Sequence, residues 1–337
     1  MTMRIPLSRE MLKQLNAGIE AFQLEAAADK IREHSSACYS LIADGQDKYK
    51  AVGNTRFGGE PDLPANIEWP TVTDQDGIKH CNFICQINFS ELPPLTRKSG
   101  LPSSGILYLF IRFMGSAAQA VLLHSIYLKK VPADLKRRKA PKKPIWCDEY
   151  FIDLVATRIR AEATISIQCA DQSLNEYIRA NTPEINDETG DFRLDYLNRS
   201  FRLPNRIASL LGYSNPYDPR DNLEQTVAMT HIGNREAQWV TGYKTMKEFD
   251  EYARFLKDRR PQDLPDHEVK RDHLKWLLAH REEVATEQML WHLLLKLHSN
   301  DHMKLNINDA DPLYVYIREN DFTLKSFDNL AGEITQG

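Results

Sequence analysis

The sequence predicts an α+β fold: a duplicated, mainly antiparallel β-sheet unit with an N-terminal helix and charged helical insertions. Three observations predict it. A helical stripe opens the chain, short alternating apolar runs follow at hairpin-like spacing, and the last sixty residues echo the first of those runs. The expected organisation is one domain over 1–337. An N-terminal helical segment occupies 1–49, a first β-rich half 50–165, and a second β-rich half 206–330 with a helical insertion at 245–287.

The opening helix is read from Ser8 as N-cap, followed by Met11, Leu12, Leu15, Ile19, Phe22 and Ala26 at spacings of three and four. It should end near Glu33, where His34-Ser35-Ser36 breaks the pattern. From Lys50 to Pro70 the texture turns to glycine and proline. Gly58-Gly59 permits positive φ, while Pro61, Pro64 and Pro70 fix φ and remove donors. The expectation is an ordered loop, neither helix nor central strand, pinned by Phe57, Leu63 and Trp69.

Next, Cys81, Phe83, Cys85, Ile87 and Phe89 alternate and should share one face of a strand. Ile106–Phe113 and Ala120–Tyr127 complete an antiparallel meander. A basic loop covers Leu128–Pro144, Trp146–Leu154 suggests another strand, and Ala170–Ala180 a short helix. The acidic stretch 181–206 reads as a loop insertion, and Thr245–Arg260 and Asp266–Glu287 as charged helices. Leu290–His298 and Pro312–Glu319 are strands. Laying Phe83–Asn88 over Leu293–His298 and Ile106–Ile111 over Pro312–Ile317 matches strand to strand, with Tyr108 over Tyr314. That is an internal duplication.

Composition excludes several functions. With 43 Lys+Arg against 47 Asp+Glu the net charge is -4, which argues against a protein built for bulk nucleic-acid binding. No apolar run reaches the roughly 20 residues of a membrane span, and the first residues show no signal-peptide core, so a cytoplasmic protein is expected. Five scattered cysteines fit reduced thiols better than a disulfide framework.

Catalytic signatures are missing from the sequence. It holds no Gly-x-Ser-x-Gly elbow, dinucleotide fingerprint or Walker motif. Cys81 and Cys85, on one strand face, would lie about 13 Å apart, too far for one zinc. His292 and His298 are placed on a solvent-facing side with Lys296. The expectation is no catalytic residue, no metal and no cofactor. The most unusual local feature is the strip Lys129–Lys143, eight cations against Asp134.

The series Arg56-Phe-Gly-Gly-Glu-Pro-Asp-Leu-Pro, Trp69-Pro70, Phe83-Ile-Cys-Gln-Ile-Asn88 and Leu101-Pro-Ser-Ser-Gly-Ile-Leu-Tyr-Leu-Phe110 resembles the YwqG-like family, a domain of unknown function (1963). The similarity extends to Leu210-Leu-Gly-Tyr213 and Leu313-Tyr-Val-Tyr-Ile317. The second half departs from the family pattern at Lys296-Leu-His298, where that pattern has Gln-Ile-Asp, and at Leu305–Asp311, where it has Trp-Gly-Asp-x-Gly. The resemblance implies a bacterial cytoplasmic protein with a duplicated antiparallel sheet. Some members stand beside interbacterial toxins and look like immunity proteins.

The expected function is therefore a non-enzymatic immunity protein that binds a cognate toxin acting in the cytoplasm, of the nuclease, ADP-ribosyltransferase or deaminase class. The alternative is a small-molecule enzyme or ligand-binding protein with a pocket between the two sheet halves. Charge complementarity speeds encounter and rejects wrong partners, so the partner surface is assigned to Arg137, Arg138, Lys142 and Lys143, with Trp146 as an apolar anchor.

Overall fold

The computed structural model describes all residues except 1–3, 75–76, 96–99, 114–120, 142–150, 152, 183–189, 217–221, 308–309 and 335–337. Ten strands form a closed barrel: β1 (Ser35–Gln46), β2 (Arg56–Phe57), β3 (Asn82–Asn88), β4 (Ile106–Phe113), β5 (Val121–Leu128), β6 (Thr157–Ile167), β7 (Arg206–Leu210), β8 (Trp291–Leu297), β9 (Leu313–Arg318) and β10 (Leu330–Ile334). Around the barrel the order is β1-β6-β2-β3-β4-β5-β10-β9-β8-β7, with β7 pairing back onto β1. Closure leaves no free edge on this sheet. The fold is α+β.

The duplication is visible in this order. Strands β2 to β5 form one four-stranded meander and β7 to β10 another, their last strands side by side. The long antiparallel pair β1 and β6 completes the wall. Register makes the match residue by residue. Arg56 pairs with Gln86 and Phe57 with Cys85; in the second meander Ser209 pairs with Lys296 and Leu210 with Leu295. Gly58 N–H donates to Ile84 O at 2.7 Å, and Leu211 N–H donates to Leu294 O at 2.8 Å. Gly58 (φ 68°) and Gly59 (φ 69°) are matched by Leu211 (φ 67°) and Gly212 (φ 94°). The same left-handed turn is built twice, once with a leucine where a glycine is the low-cost choice.

Strand β4 is buried on both faces. Leu107, Leu109 and Ile111 join the main core, while Ile106, Tyr108 and Phe110 face a smaller core with Leu63, Trp69, Cys81 and Phe83. Trp69 meets Phe110 edge-to-face at 5.3 Å. The expectation that Cys81, Phe83, Cys85, Ile87 and Phe89 share a face is corrected here. Between Phe83 and Cys85 the register shifts, Ile84 being the extra residue. Cys81 and Phe83 therefore face the smaller core, and Cys85, Ile87 and Phe89 the main one.

The opening helix α1 (Arg9–Ala21) is capped by Ser8, whose side chain accepts from Met11 N–H, and buries Met11, Leu15 and Ile19. It breaks at Phe22, and α2 (Ala28–Glu33) then leads into β1. Within the Gly/Pro segment Phe57, Leu63 and Trp69 are buried, but Arg56–Phe57 is a barrel strand flanked on both sides, contrary to the sequence expectation. Two residues without proline suffice to bridge β6 and β3. The stretch read as an acidic loop contains α4 (Gly190–Ser200), after α3 (Gln172–Asn181).

Residues 222–291 form a separate compact unit. It holds α5 (Leu223–Ile232), which the sequence reading did not mark, and α6 (Met246–Arg259), α7 (Leu264–Ala279) and α8 (Arg281–Gln288), where the charged helices 245–260 and 266–287 are predicted. Helix α6 starts with a capping box between Thr245 and Glu248.

A Cβ on Gly58 would lie 2.6 Å from Val155 O in a left-handed conformation. Gly58→Ala should therefore lower the unfolding free energy by at least the ~1–3 kcal/mol of that conformation, measured by urea titration. Unchanged stability would show that the turn relaxes.

Candidate functional site

Lys136–Arg137 pairs antiparallel with Asp62–Leu63, which fastens the basic strip to the Gly/Pro segment. Arg137 pairs with Glu60 at 3.0 Å and lies over the Tyr49 ring at 4.5 Å. Arg138 N–H donates to Pro61 O at 2.9 Å, and its guanidinium donates to Ile67 O. Both arginines thus make intramolecular contacts, Arg138 most completely. Lys142, Lys143 and Trp146 lie outside the described residues. The exposed cations of the described strip are Lys129, Lys130, Lys136, Arg137 and Lys139.

Behind this strip sits a buried polar network that sequence reading passed over. Arg56 is wholly inaccessible. Its Nε pairs with Asp47 at 2.7 Å and its Nη2 with Asp62 at 2.6 Å, while Nη1 donates to Glu60 O. Asp62 Oδ2 also accepts from Gln86 Nε2 at 2.9 Å and from Gly53 N–H at 2.8 Å. The Tyr108 hydroxyl donates to Asp62 O at 2.6 Å. Burial acts to raise the Asp47 carboxyl pKa, but hydrogen bonds from Asn54, Arg56 and Tyr49 N–H outweigh it and hold it below the usual range. The charges here are compensated from within.

At the equivalent place in the second meander the chemistry differs. Lys296 stands where Gln86 stands, Ser209 where Arg56 does, and Asn215 takes the place of Asp62 five residues beyond the matched strand end. Lys296 Nζ donates to Ser214 O at 2.7 Å and Asn215 O at 3.0 Å, and lies 4.9 Å from the centre of the Tyr314 ring. The Asn215 amide turns away, donating to Ile167 O at 2.6 Å. A small recess of about 30 Å³ is walled by Lys296, Arg206, Arg202, Ser166, Ser209 and Tyr213, among others. Among the described residues its lining contains no carboxylate.

A family model described as "Domain of unknown function (DUF1963)" matches residues 55–334. The chain belongs to this family. No curated protein matches it. The DUF1963 match begins one residue before Arg56 and ends with β10, so it spans both meanders and most of the network and the recess, but leaves out β1 with Cys38, and Asp47 just after it.

Among the described residues this DUF1963 recess carries an excess of basic groups. Burial, with Arg206 and Arg202 nearby, lowers the Lys296 amine to about 7. Burial and Arg202 lower Arg206 to about 10. His298 is held well below its ordinary value by burial and then by Lys296 and the two arginines, so its ring is neutral beside Arg206 Nη2 at 3.4 Å. Asp195 is the carboxylate that acts on Lys296 and Arg202, and it is already paired with Arg199 at 2.6 Å.

The solvent-facing reading of His292 and His298 is thereby corrected: His292 is 2% exposed, and His298 is enclosed by the cations of the recess. Among the described residues no group of three or more His, Cys, Asp or Glu could hold a metal ion. Burial pushes the Cys38 and Cys169 thiols up to about 12 and Cys85 higher still, so these three are not thiolates at neutral pH.

Two outcomes follow. Arg56→Met strands two buried carboxylates and should cost about 3–5 kcal/mol in urea unfolding; a loss under 1 kcal/mol would show that water reaches them. For Lys296 the folded pKa lies below the unfolded one, so between pH 7 and about 10.5 the unfolded chain binds more protons and stability should rise with pH. Lys296→Met should flatten that rise in pH-dependent denaturation, and an unchanged slope would place the amine in solvent.

Proposed function

We propose that the protein is a non-enzymatic immunity protein that binds and neutralises a cognate bacterial toxin acting in the cytoplasm, a nuclease, ADP-ribosyltransferase or deaminase. The supporting observation is the pinned cationic ridge. Its backbone is held by the Asp62–Leu63 pairing and by Arg138, while Lys129, Lys130, Lys136 and Lys139 keep their charged heads in water. A cationic surface ordered before encounter loses little entropy on docking and steers an acidic partner. The family resemblance supplies the toxin context. Among the described residues no helix is long and apolar enough to cross a membrane.

The recess favours a second reading, a protein that binds a small ligand. It is walled by β1, β6, β7, β8 and the chain after α4, not set between the two meanders.

Co-expression with the product of the adjacent upstream gene tests the first reading. The complex should copurify, and wild-type protein should protect cells. Reversing Lys136, Lys139, Lys142 and Lys143 to Glu should slow association at least tenfold at low salt, with little change in thermal stability. Arg138→Ala, by contrast, should lower the melting temperature, because its guanidinium holds the loop at Ile67 O. A quadruple variant that protects and associates like the wild type would overturn the ridge as the partner surface.

A further inference from the structure

We propose that the recess beside β8 is a binding site for a small phosphoryl-bearing ligand, its doubly charged oxyanion held by Lys296, Arg206 and Arg202. The duplication gives the first argument. In the first meander the corresponding place is filled by the protein's own anions: Asp62 receives Gln86 and Arg56 and, with Asp47, neutralises the guanidinium. In the second meander the strand pairing and the left-handed turn are kept, yet the position of Asp62 is taken by Asn215, which leaves the extended path (φ 39°) and directs its amide at Ile167 O, and Lys296 stands where Gln86 does. The guanidinium of the first place is replaced by Ser209, a neutral hydrogen-bonding position has gained a cation, and the local carboxylate is absent, so the matched trio goes from net zero to net positive. An external anion would take the part that Asp62 plays in the first half.

The second argument is the donor set. Lys296 and Arg206 are enclosed, Arg202 stands at the exposed mouth, and among the described residues none of the three has a carboxylate within ion-pair distance. Three basic side chains in one recess oppose one another, with only the more distant Asp195, already paired with Arg199, to offset them, and such a cluster is stabilised by an anion. Ser209 lines the same recess, and Ser166 Oγ accepts from Tyr213 N–H at 3.2 Å, which leaves its hydroxyl hydrogen free to donate. Ser40 stands opposite Ser209 on that sheet face with a fully buried hydroxyl for which the described residues offer no partner. The donors come from the segment after α4, β6, β7 and β8, and with three basic groups among them they suit an oxyanion with several acceptor atoms, such as a phosphoryl group.

The site needs no protein partner, so its failure would leave the neutralising role standing, and failure of that role would leave the site standing. The test uses full-length protein at pH 6.5, titrated calorimetrically with inorganic phosphate, glycerol phosphate or malonate, against chloride at matched ionic strength. Phosphate and glycerol phosphate should bind with Kd of about 1 mM or tighter and raise the melting temperature at saturation. Lys296→Met and Arg202→Gln should each raise Kd about tenfold or more. Arg202 lies at the mouth, so its variant decides the question even if Lys296→Met folds poorly. No heat or stabilisation beyond chloride, or wild-type Kd in the Arg202→Gln variant, would overturn the site. Binding of malonate with none of either phosphate would overturn its assignment to phosphoryl ligands.

Discussion

The buried guanidinium of Arg56 is the constraint around which one end of the barrel is arranged. A cation with no exposure is tolerated only where its charge and N–H groups are met, and here they are met by Asp47, Asp62, Asn54 and Glu60 O. Those partners come from the end of β1, from the loop before β2 and from the Gly/Pro segment after it. Gln86 on β3 and Tyr108 on β4 tie the same Asp62 to two further strands. The ribbon that carries Asp62 also carries the pairing to Lys136–Arg137. The basic ridge is thus ordered because the arginine beneath it is satisfied.

The second meander keeps the geometry and discards this solution. Leu211 retains a φ of 67°, which costs a leucine about 1 kcal/mol or more, and does so because its N–H must still reach Leu294 O. Backbone pairing constrains the turn more tightly than side-chain identity does. Side-chain charge differs between the two places: Ser209 stands for Arg56, Lys296 for Gln86 and Asn215 for Asp62, so one cation is lost, another is gained on the paired strand, and the carboxylate is gone. With Asp47 counted, the first site holds two carboxylates against one guanidinium, whereas the second, with the neighbouring Arg206 and Arg202, holds three basic side chains.

Much of the sheet was legible in the sequence. Ile106–Phe113 announces itself as a continuous β-branched and aromatic run, and Tyr108 over Tyr314 gave the duplication, because strand residues facing packed cores change slowly in size. Strand β1 was passed over because Ser35-Ser-Ala-Cys-Tyr-Ser offers small side chains with no period. The extra residue Ile84 could not be read from alternation, since both sides of a doubly covered strand are apolar and a one-residue slip leaves no mark. Of the candidate site, only the charges on Arg137 and Arg138 were visible; their partners Glu60 and Ile67 are about seventy residues away in sequence. The recess left one trace, Lys296-Leu-His298 in place of Gln-Ile-Asp. Its meaning depends on Arg202 and Arg206, more than eighty residues earlier.

The two cationic surfaces differ in how water treats them, and that separates what each can do. On the ridge, lysine heads are hydrated, their fields are screened within about 8 Å at physiological salt, and their contribution is to encounter rate and partner choice. In the recess, Lys296 and Arg206 are half-buried, so screening is weaker than on the ridge and an anion placed there would be held by short contacts. Long-range attraction and short-range capture make different demands on structure: the first asks only for exposed charge on a fixed backbone, the second for charge held in place and left uncompensated. The two matched meanders each stand beside one of these surfaces: the first encloses its guanidinium with carboxylates and lies next to the exposed ridge, and the second lies against the recess, where the basic groups are half-buried.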